Sequence, residues 1–413
     1  MTLAAILTQW NAPTKSPTSL NPTQDNEVRR CISSPIQSED YCTGGAQITQ
    51  QVLEPRGGSS NLADEFFGNS LVFINDTFLA AGTNGSGFGV QLYYKPENSV
   101  TWDHYATLFE EDQRYFGYSI AASKDINALL IGSPSASETG GIVYVVEPTK
   151  QYWDIVTTIY SGDATDFGSE VAMNEDVIAI GSPDSDKVFI YGKDERFGWI
   201  PKETISSTEK GTGFGSSISL SGGILVVGAP LEGVGGAAYV YAKSDSGFVM
   251  QGPPLTVRDI SPGDNFGAKV SISGCTIAVS IPNDTTTASN GTGSVRIFNY
   301  DALYDFWSAD QIIESTEEVA GVFGECIAME GDNLLVGSSR GGTYGTLTHF
   351  VKRNNVWKQQ SVIVNPAPAD DGLQFGCGLA VSGTTALVGA KGSEQGTPGR
   401  FYVVDLCPDD ESI

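Results

Sequence analysis

DFGSEVAMNEDVIAIGSP occupies Asp166–Pro183, and GFGSSISLSGGILVVGAP occupies Gly213–Pro230. The two stretches share a Phe-Gly pair, two short apolar runs and a Gly-Ser/Ala-Pro end. The same phrase recurs along the chain, with its Phe-Gly glycine at Gly68, Gly117, Gly168, Gly215, Gly267, Gly324 and Gly376. Seven copies at intervals of roughly 50 residues point to an array or a propeller.

Each copy divides into four runs. Strand A follows Phe-Gly and alternates, as in SISLS (Ser217–Ser221). A tight turn leads to strand B, which is apolar at nearly every position, as in ILVVGAP (Ile224–Pro230), and so reads as buried on both faces. A variable polar loop precedes an aromatic-rich strand C, such as AAYVY (Ala237–Tyr241). Strand D often opens with Trp, as in WDIVTTI (Trp153–Ile159). Four antiparallel strands repeated seven times predict an all-β, seven-bladed β-propeller, with an open solenoid as the alternative.

The chain ends choose between these. The seventh copy stops after its strand C, RFYVVDL (Arg400–Leu406), while a spare strand, AQITQQVLEP (Ala46–Pro55), precedes the first Phe-Gly. An N-terminal strand that completes the last blade closes the ring. The expected organisation is a Pro/Ser/Thr-rich leader over 1–45, the propeller over 46–406 and a tail over 407–413. In this arrangement Cys42 and Cys407 flank the missing covalent turn of blade seven, and a Cys42–Cys407 disulfide would replace it. A local Cys31–Cys42 bond or free thiols are the other readings. Cys326 and Cys377 follow Phe-Gly in neighbouring blades and read as small thiols near the axis.

Within the phrase, the Phe-Gly glycine is expected to permit a sharp turn into the crowded innermost strand, and the Phe to fill a wedge between blades. The Gly-Ser/Ala-Pro end is expected to stop strand B, because Pro cannot donate to a ladder.

These motifs resemble FG-GAP repeats, the unit of the N-terminal propeller of integrin alpha chains and of similar microbial and algal proteins. The resemblance covers residues 46–406 and implies a non-catalytic binding or adhesion module, extracellular or at the cell surface. It also implies ligand contact at the face where the D–A and B–C loops gather. Several integrin repeats carry an Asp-rich calcium loop between strands A and B. Here those connections are short turns such as NED (Asn174–Asp176) and SGC (Ser273–Cys275), too short for the dozen residues such a loop needs. That calcium site therefore does not carry over, and no cofactor is expected.

The D–A loops are acidic, and their carboxylates are the candidate ligand-binding residues: Glu111, Asp112, Asp163, Asp166, Asp264, Asp370 and Asp371. Such a rim would suit a basic ligand or a weakly held cation such as calcium; a solvated acidic loop is the plain reading. The expected partner is a protein or a carbohydrate. Sequons at Asn75, Asn84, Asn283 and Asn290 would accept glycans in a secreted protein.

The net charge of −26 repels nucleic acid and anionic membranes. No apolar run approaches the ~18–20 residues that span a bilayer. The N-terminal MTLAAILTQW lacks a basic start and makes a poor secretory leader, so either the chain is cytosolic or its leader lies outside this sequence. His104 and His349 are the sole histidines, and no metal or catalytic constellation is legible. A hydrolase or lyase with carboxylates at the channel mouth, and a structural platform within a larger assembly, are the competing functions.

Overall fold

The computed structural model describes residues 47–56, 66–83, 89–110, 115–137, 140–150, 152–162, 164–285, 292–315, 322–339, 345–366, 374–392 and 399–406. Cys42, Cys407, Asn84, Asn290 and the acidic candidates Glu111, Asp112, Asp163, Asp370 and Asp371 lie outside them. The described chain forms seven four-stranded antiparallel sheets, each in the order A-B-C-D from the axis outward. Its helical content is one turn of 3-10 helix, Pro183–Ser185. Among the described residues no helix is long and apolar enough to cross a membrane.

Ring closure is visible in the packing. The buried residues fall into seven clusters, and each joins two neighbouring blades. An open row of seven sheets would have six such interfaces. The closing cluster sets Leu53, Leu387, Phe401 and Val403 against Phe67, Phe73, Tyr93 and Trp102 of blade one. Gln47–Leu53 supplies the fourth strand of blade seven, pairing antiparallel with Arg400–Asp405.

Strand B carries the core because its period of two feeds both faces. In blade four, Ile224 and Val226 enter the cluster shared with blade five, whereas Leu225, Val227 and Ala229 enter the one shared with blade three. The Phe of each Phe-Gly is at most 2 % exposed, and each cluster holds one of the seven. In blades two to seven that Phe meets an aromatic of its own strand C, for example Phe214 against Tyr239 with ring centroids 5.4 Å apart.

Both glycines of the repeated phrase sit where blades touch. Gly215 has φ +93°, which L side chains avoid, and its N–H donates to the carbonyl of Gly228 at 3.0 Å. Gly228 in turn lies under the next blade: a Cβ there would fall 2.1 Å from the carbonyl oxygen of Gly267. The phrase is thus a backbone-to-backbone contact, repeated at Gly82, Gly132, Gly181, Gly337 and Gly389 in five other blades.

The innermost strands face a second demand, since an edge strand leaves N–H groups unpaired. Serines answer it. The hydroxyls of Ser217, Ser219 and Ser221 accept from the N–H groups of Val270, Ile272 and Gly274 at 3.0, 3.0 and 3.2 Å. Ser271 and Ser273 do the same for Met329 and Gly331 of blade six. The A–B connections are tight turns, as expected. Asn174 closes one by accepting from the N–H groups of Asp176 and Val177, while its amide donates to Gly222 of the next blade.

One expectation is corrected. Gly-Ser/Ala-Pro ends strand B in blades three and four, at Ser182 and Ala229. In blade two the strand runs through Pro134 to Ser137. A register irregularity between Ser133 and Ser137 absorbs the proline that cannot donate.

Candidate functional site

The second residue after each Phe-Gly glycine faces the axis. In chain order these are Ser70, Ser119, Glu170, Ser217, Lys269, Cys326 and Gly378, and all seven line a cavity of about 500 Å³ at the loop end of the channel. In blades one and two the serine fastens blades together. Ser70 Oγ donates to the Gly117 carbonyl at 2.8 Å, and Ser119 Oγ to the Gly168 carbonyl at 2.7 Å.

Blades three, five and six depart from serine and place chemistry in the channel. Lys269 Nζ reaches Glu170 Oε2 at 3.3 Å, across the width of blade four. That carboxylate, against the cost of burial, holds the ammonium above its ordinary range. Cys326 Sγ donates to the carbonyl of Cys377, and the two free thiols lie against each other. At the opposite end of the channel Lys124 bridges Glu330 at 3.0 Å and Ser382 at 2.7 Å, spanning blades two, six and seven.

Asp166 and Asp264 are the acidic candidates within the described residues, and they differ. Asp166 precedes Phe167 with φ +55°, the left-handed position also held by Tyr115, Gly213 and Asn265 in blades two, four and five. Its carbonyl accepts from Ser169 N–H at 3.1 Å, which shapes the turn. Its carboxyl stands in hydrogen-bonding contact with that of Asp184, on the B–C loop of the same blade. Partial burial first, then the hydrogen bond and charge of Asp184, push Asp166 up to about 6. Asp264 is 1 % exposed and works inside the loops, accepting from Ser261 N–H at 2.7 Å and from Thr285 Oγ1 at 3.1 Å.

Asp186, which sequence reasoning did not single out, does comparable work between blades. It accepts from Gly211 N–H, Thr212 N–H and Thr212 Oγ1 at 2.6, 2.9 and 2.7 Å. Beside these loops lies a groove of about 440 Å³, lined in part by Pro183, Asp184, Pro230, Leu231 and Ala268. Leu231 is 63 % exposed and Val234 65 % exposed on the B–C loop of blade four. Among the described residues no three His, Cys, Asp or Glu side chains converge as a metal cluster.

Of the two sequons within the described residues, Asn75 donates from its amide to Asn127 Oδ1 at 2.8 Å, and Asn283 donates to the Gly263 carbonyl at 3.1 Å. His104 lies in strand D of blade one and His349 in strand C of blade six, with no shared site.

The comparisons agree with this architecture. Residues 204–241 and 251–298 match the FG-GAP repeat family. The comparison with curated proteins found no match. Among solved structures, the crystal structure of the WD40 β-propeller domain of Doa1 is similar in fold, with a TM-score of 0.51 at 11% identity over 90% of this chain and 98% of that one. At that identity the likeness concerns the fold alone. The two matched stretches are thus similar to the FG-GAP repeat, and the seven-bladed ring resembles the N-terminal propeller of integrin alpha chains.

Proposed function

We propose that the disc is an extracellular binding module whose loop face takes a protein segment that pairs a basic side chain with an apolar one. The observation that carries this reading is the groove lined by Asp184 and the exposed Leu231, with the Asp166–Asp184 pair at its edge and exposed Val234 farther along the same loop as Leu231. Exposed apolar side chains next to two carboxyls in contact favour a ligand cation, which would relieve the repulsion that raises Asp166. FG-GAP repeats and the propeller fold support a binding or adhesion role.

A carbohydrate ligand is the second reading. Tyr115, 38 % exposed and set edge-on to Tyr118, offers an aromatic surface at the same rim. The hydrolase alternative finds no support in the Asp166–Asp184 pair. Glycoside hydrolysis by paired carboxyls needs them about 5 Å or more apart, and these are in hydrogen-bonding contact.

The test uses a panel of synthetic peptides that combine Lys or Arg with Leu or Phe, together with a glycan array, at fixed calcium. The expected result is peptide binding that weakens about tenfold in Asp184→Asn and in Leu231→Ser, a change of about 1.4 kcal/mol each. Peptide binding that both variants leave unchanged, or binding confined to glycans, would overturn the protein-ligand reading.

A further inference from the structure

The innermost strands of blades six and seven meet at a point where the backbone leaves little space. Cys326 pairs across its sheet with Gly337. A Cβ on Gly337 would fall 2.0 Å from the carbonyl oxygen of Gly376, and Cys377 is the next residue. The two cysteines therefore flank one blade-to-blade contact, on different sheets. Both are free, and both line the channel cavity. Cys326 is partly exposed there and Cys377 is 6 % exposed.

We infer that Cys326 and Cys377 form a thiol–disulfide exchange site that opens into the channel, with Cys377 as the attacking thiol and Cys326 as the resolving one. The assignment of roles follows from their surroundings. Cys377 is held below the ordinary thiol range by contact with Cys326 and by the ammonium of Lys391, which lines the same cavity, with burial and Glu325 acting against them. Cys326 is raised by contact with Cys377 and by burial. Lower thiol pKa means more thiolate, which is the nucleophile.

The co-reactant is a small disulfide bearing carboxylates, of which oxidised glutathione is the type. Lys391 lines the cavity beside Cys377 and would meet one of the co-reactant's carboxylates; Lys269 is already paired with Glu170, and Asp166 and Glu325 line the same cavity. The Cys377 thiolate attacks one sulfur, a Cys377–S bond forms, the external S–S bond breaks, and one thiolate leaves and takes a proton from water. Cys326 then loses its proton to solvent and attacks Cys377 Sγ. The Cys326–Cys377 disulfide forms and the second external thiol departs. Two protein thiols are oxidised and one external disulfide is reduced to two thiols. The product fastens blade six at the axis to blade seven, the blade that the N-terminal strand completes.

Serine is a suitable test residue because other blades already use it. Ser70, Ser119 and Ser217 occupy the position equivalent to Cys326, and Ser169 and Ser216 the one equivalent to Cys377. The folded, reduced chain is incubated with oxidised glutathione, quenched with an alkylating agent and mapped by mass spectrometry. The expected product of the wild type is the Cys326–Cys377 disulfide. Cys326→Ser should stall as a glutathione adduct on Cys377, and Cys377→Ser should modify Cys326 at least about tenfold more slowly. Initial alkylation rates in the wild type, where no variant need fold, should rank Cys377 above Cys326. Absence of the intramolecular disulfide overturns the site, and preferential modification of Cys326 overturns the roles.

Discussion

Gln51 clasps the backbone of Trp102: its Oε1 accepts from the Trp102 N–H at 2.7 Å and its Nε2 donates to the Trp102 carbonyl at 2.5 Å. Gln311 holds Trp357 in the same way, at 2.9 and 2.7 Å, between blades five and six. Both glutamines follow an irregularity in the pairing of strands C and D. The N-terminal strand is thus a complete strand D, down to the side chain by which an outer strand grips the next blade.

This equivalence makes a comparative prediction. Gln51→Leu and Gln311→Leu each strip a buried Trp backbone of two partners, at a cost of about 1–3 kcal/mol in unfolding free energy. Only Gln51→Leu also loosens the strand that closes the ring, which comes from the far end of the chain. Hydrogen exchange should therefore rise across 47–53 and 401–405 in Gln51→Leu, while Gln311→Leu leaves that seam protected. Equal protection of the seam in both variants would contradict the closure role.

The two glycines of the repeat predict different costs from glycines in open turns. Gly228→Ala places a methyl about where the Gly267 carbonyl oxygen stands, so the blades must part. The expected loss is about 3 kcal/mol or more, at the upper end for overpacking. Gly222→Ala meets nothing within 4 Å and bears only the strain of φ +54°, about 1 kcal/mol. Blade five is the natural exception, with Ser280 in place of the glycine. Chemical denaturation of both variants decides the ranking.

The Asp166–Asp184 pair predicts a proton that Asp184 helps to hold. Asp166 is raised to about 6 in the fold. Its contribution to stability is complete below the ordinary carboxylate range and is lost as pH rises through 6. Because the group is only partly buried and solvent screens it, the loss is held to under about 1 kcal/mol. In Asp184→Asn the Asp166 midpoint should fall, read from the carboxyl carbon resonance in a pH titration. An unmoved midpoint would mean that burial alone sets it.

The fold was legible because blade contacts are local in sequence: one Phe-Gly per sheet, and a strand-B glycine in every sheet but the fifth, mark the two sides of the interfaces. The spare strand at Ala46–Pro55 was legible because its absence from the seventh copy left a gap of known shape. The axial constellation was not. Glu170 and Lys269 are 99 residues apart and meet because a ring folds them onto one axis. The usable signal was positional: aligning the copies on Phe-Gly shows serine giving way to Glu170, Lys269 and Cys326 at one place. Composition also misled about Asp264, since an acidic loop does not reveal whether its carboxylate faces solvent or caps the loop from within.

His349 gives the final prediction, and its sign can be worked out. The ring is 1 % exposed, Nε2 contacts Asn333 Oδ1 at 2.9 Å, and Nδ1 has no partner among the described residues. Because the Asn333 amide already donates to the Gly383 carbonyl at 3.1 Å, its oxygen accepts, so Nε2 carries the proton. Burial lowers His349 to about 4, against 6.5 for a free histidine. Below about 6.5 the unfolded chain gains a proton that the folded chain refuses, so stability is present above that pH and drains as pH falls toward 4. Lowering the pH from 7 to 4.5 should remove about 2–3 kcal/mol on this account. His349→Gln can still donate to Asn333 and does not titrate, so its stability should fall less over that interval by about the same amount. Urea unfolding of both proteins at the two pH values measures the difference. Parallel pH dependence would show that the ring is solvated and that Asn333 does not hold blade six against blade seven.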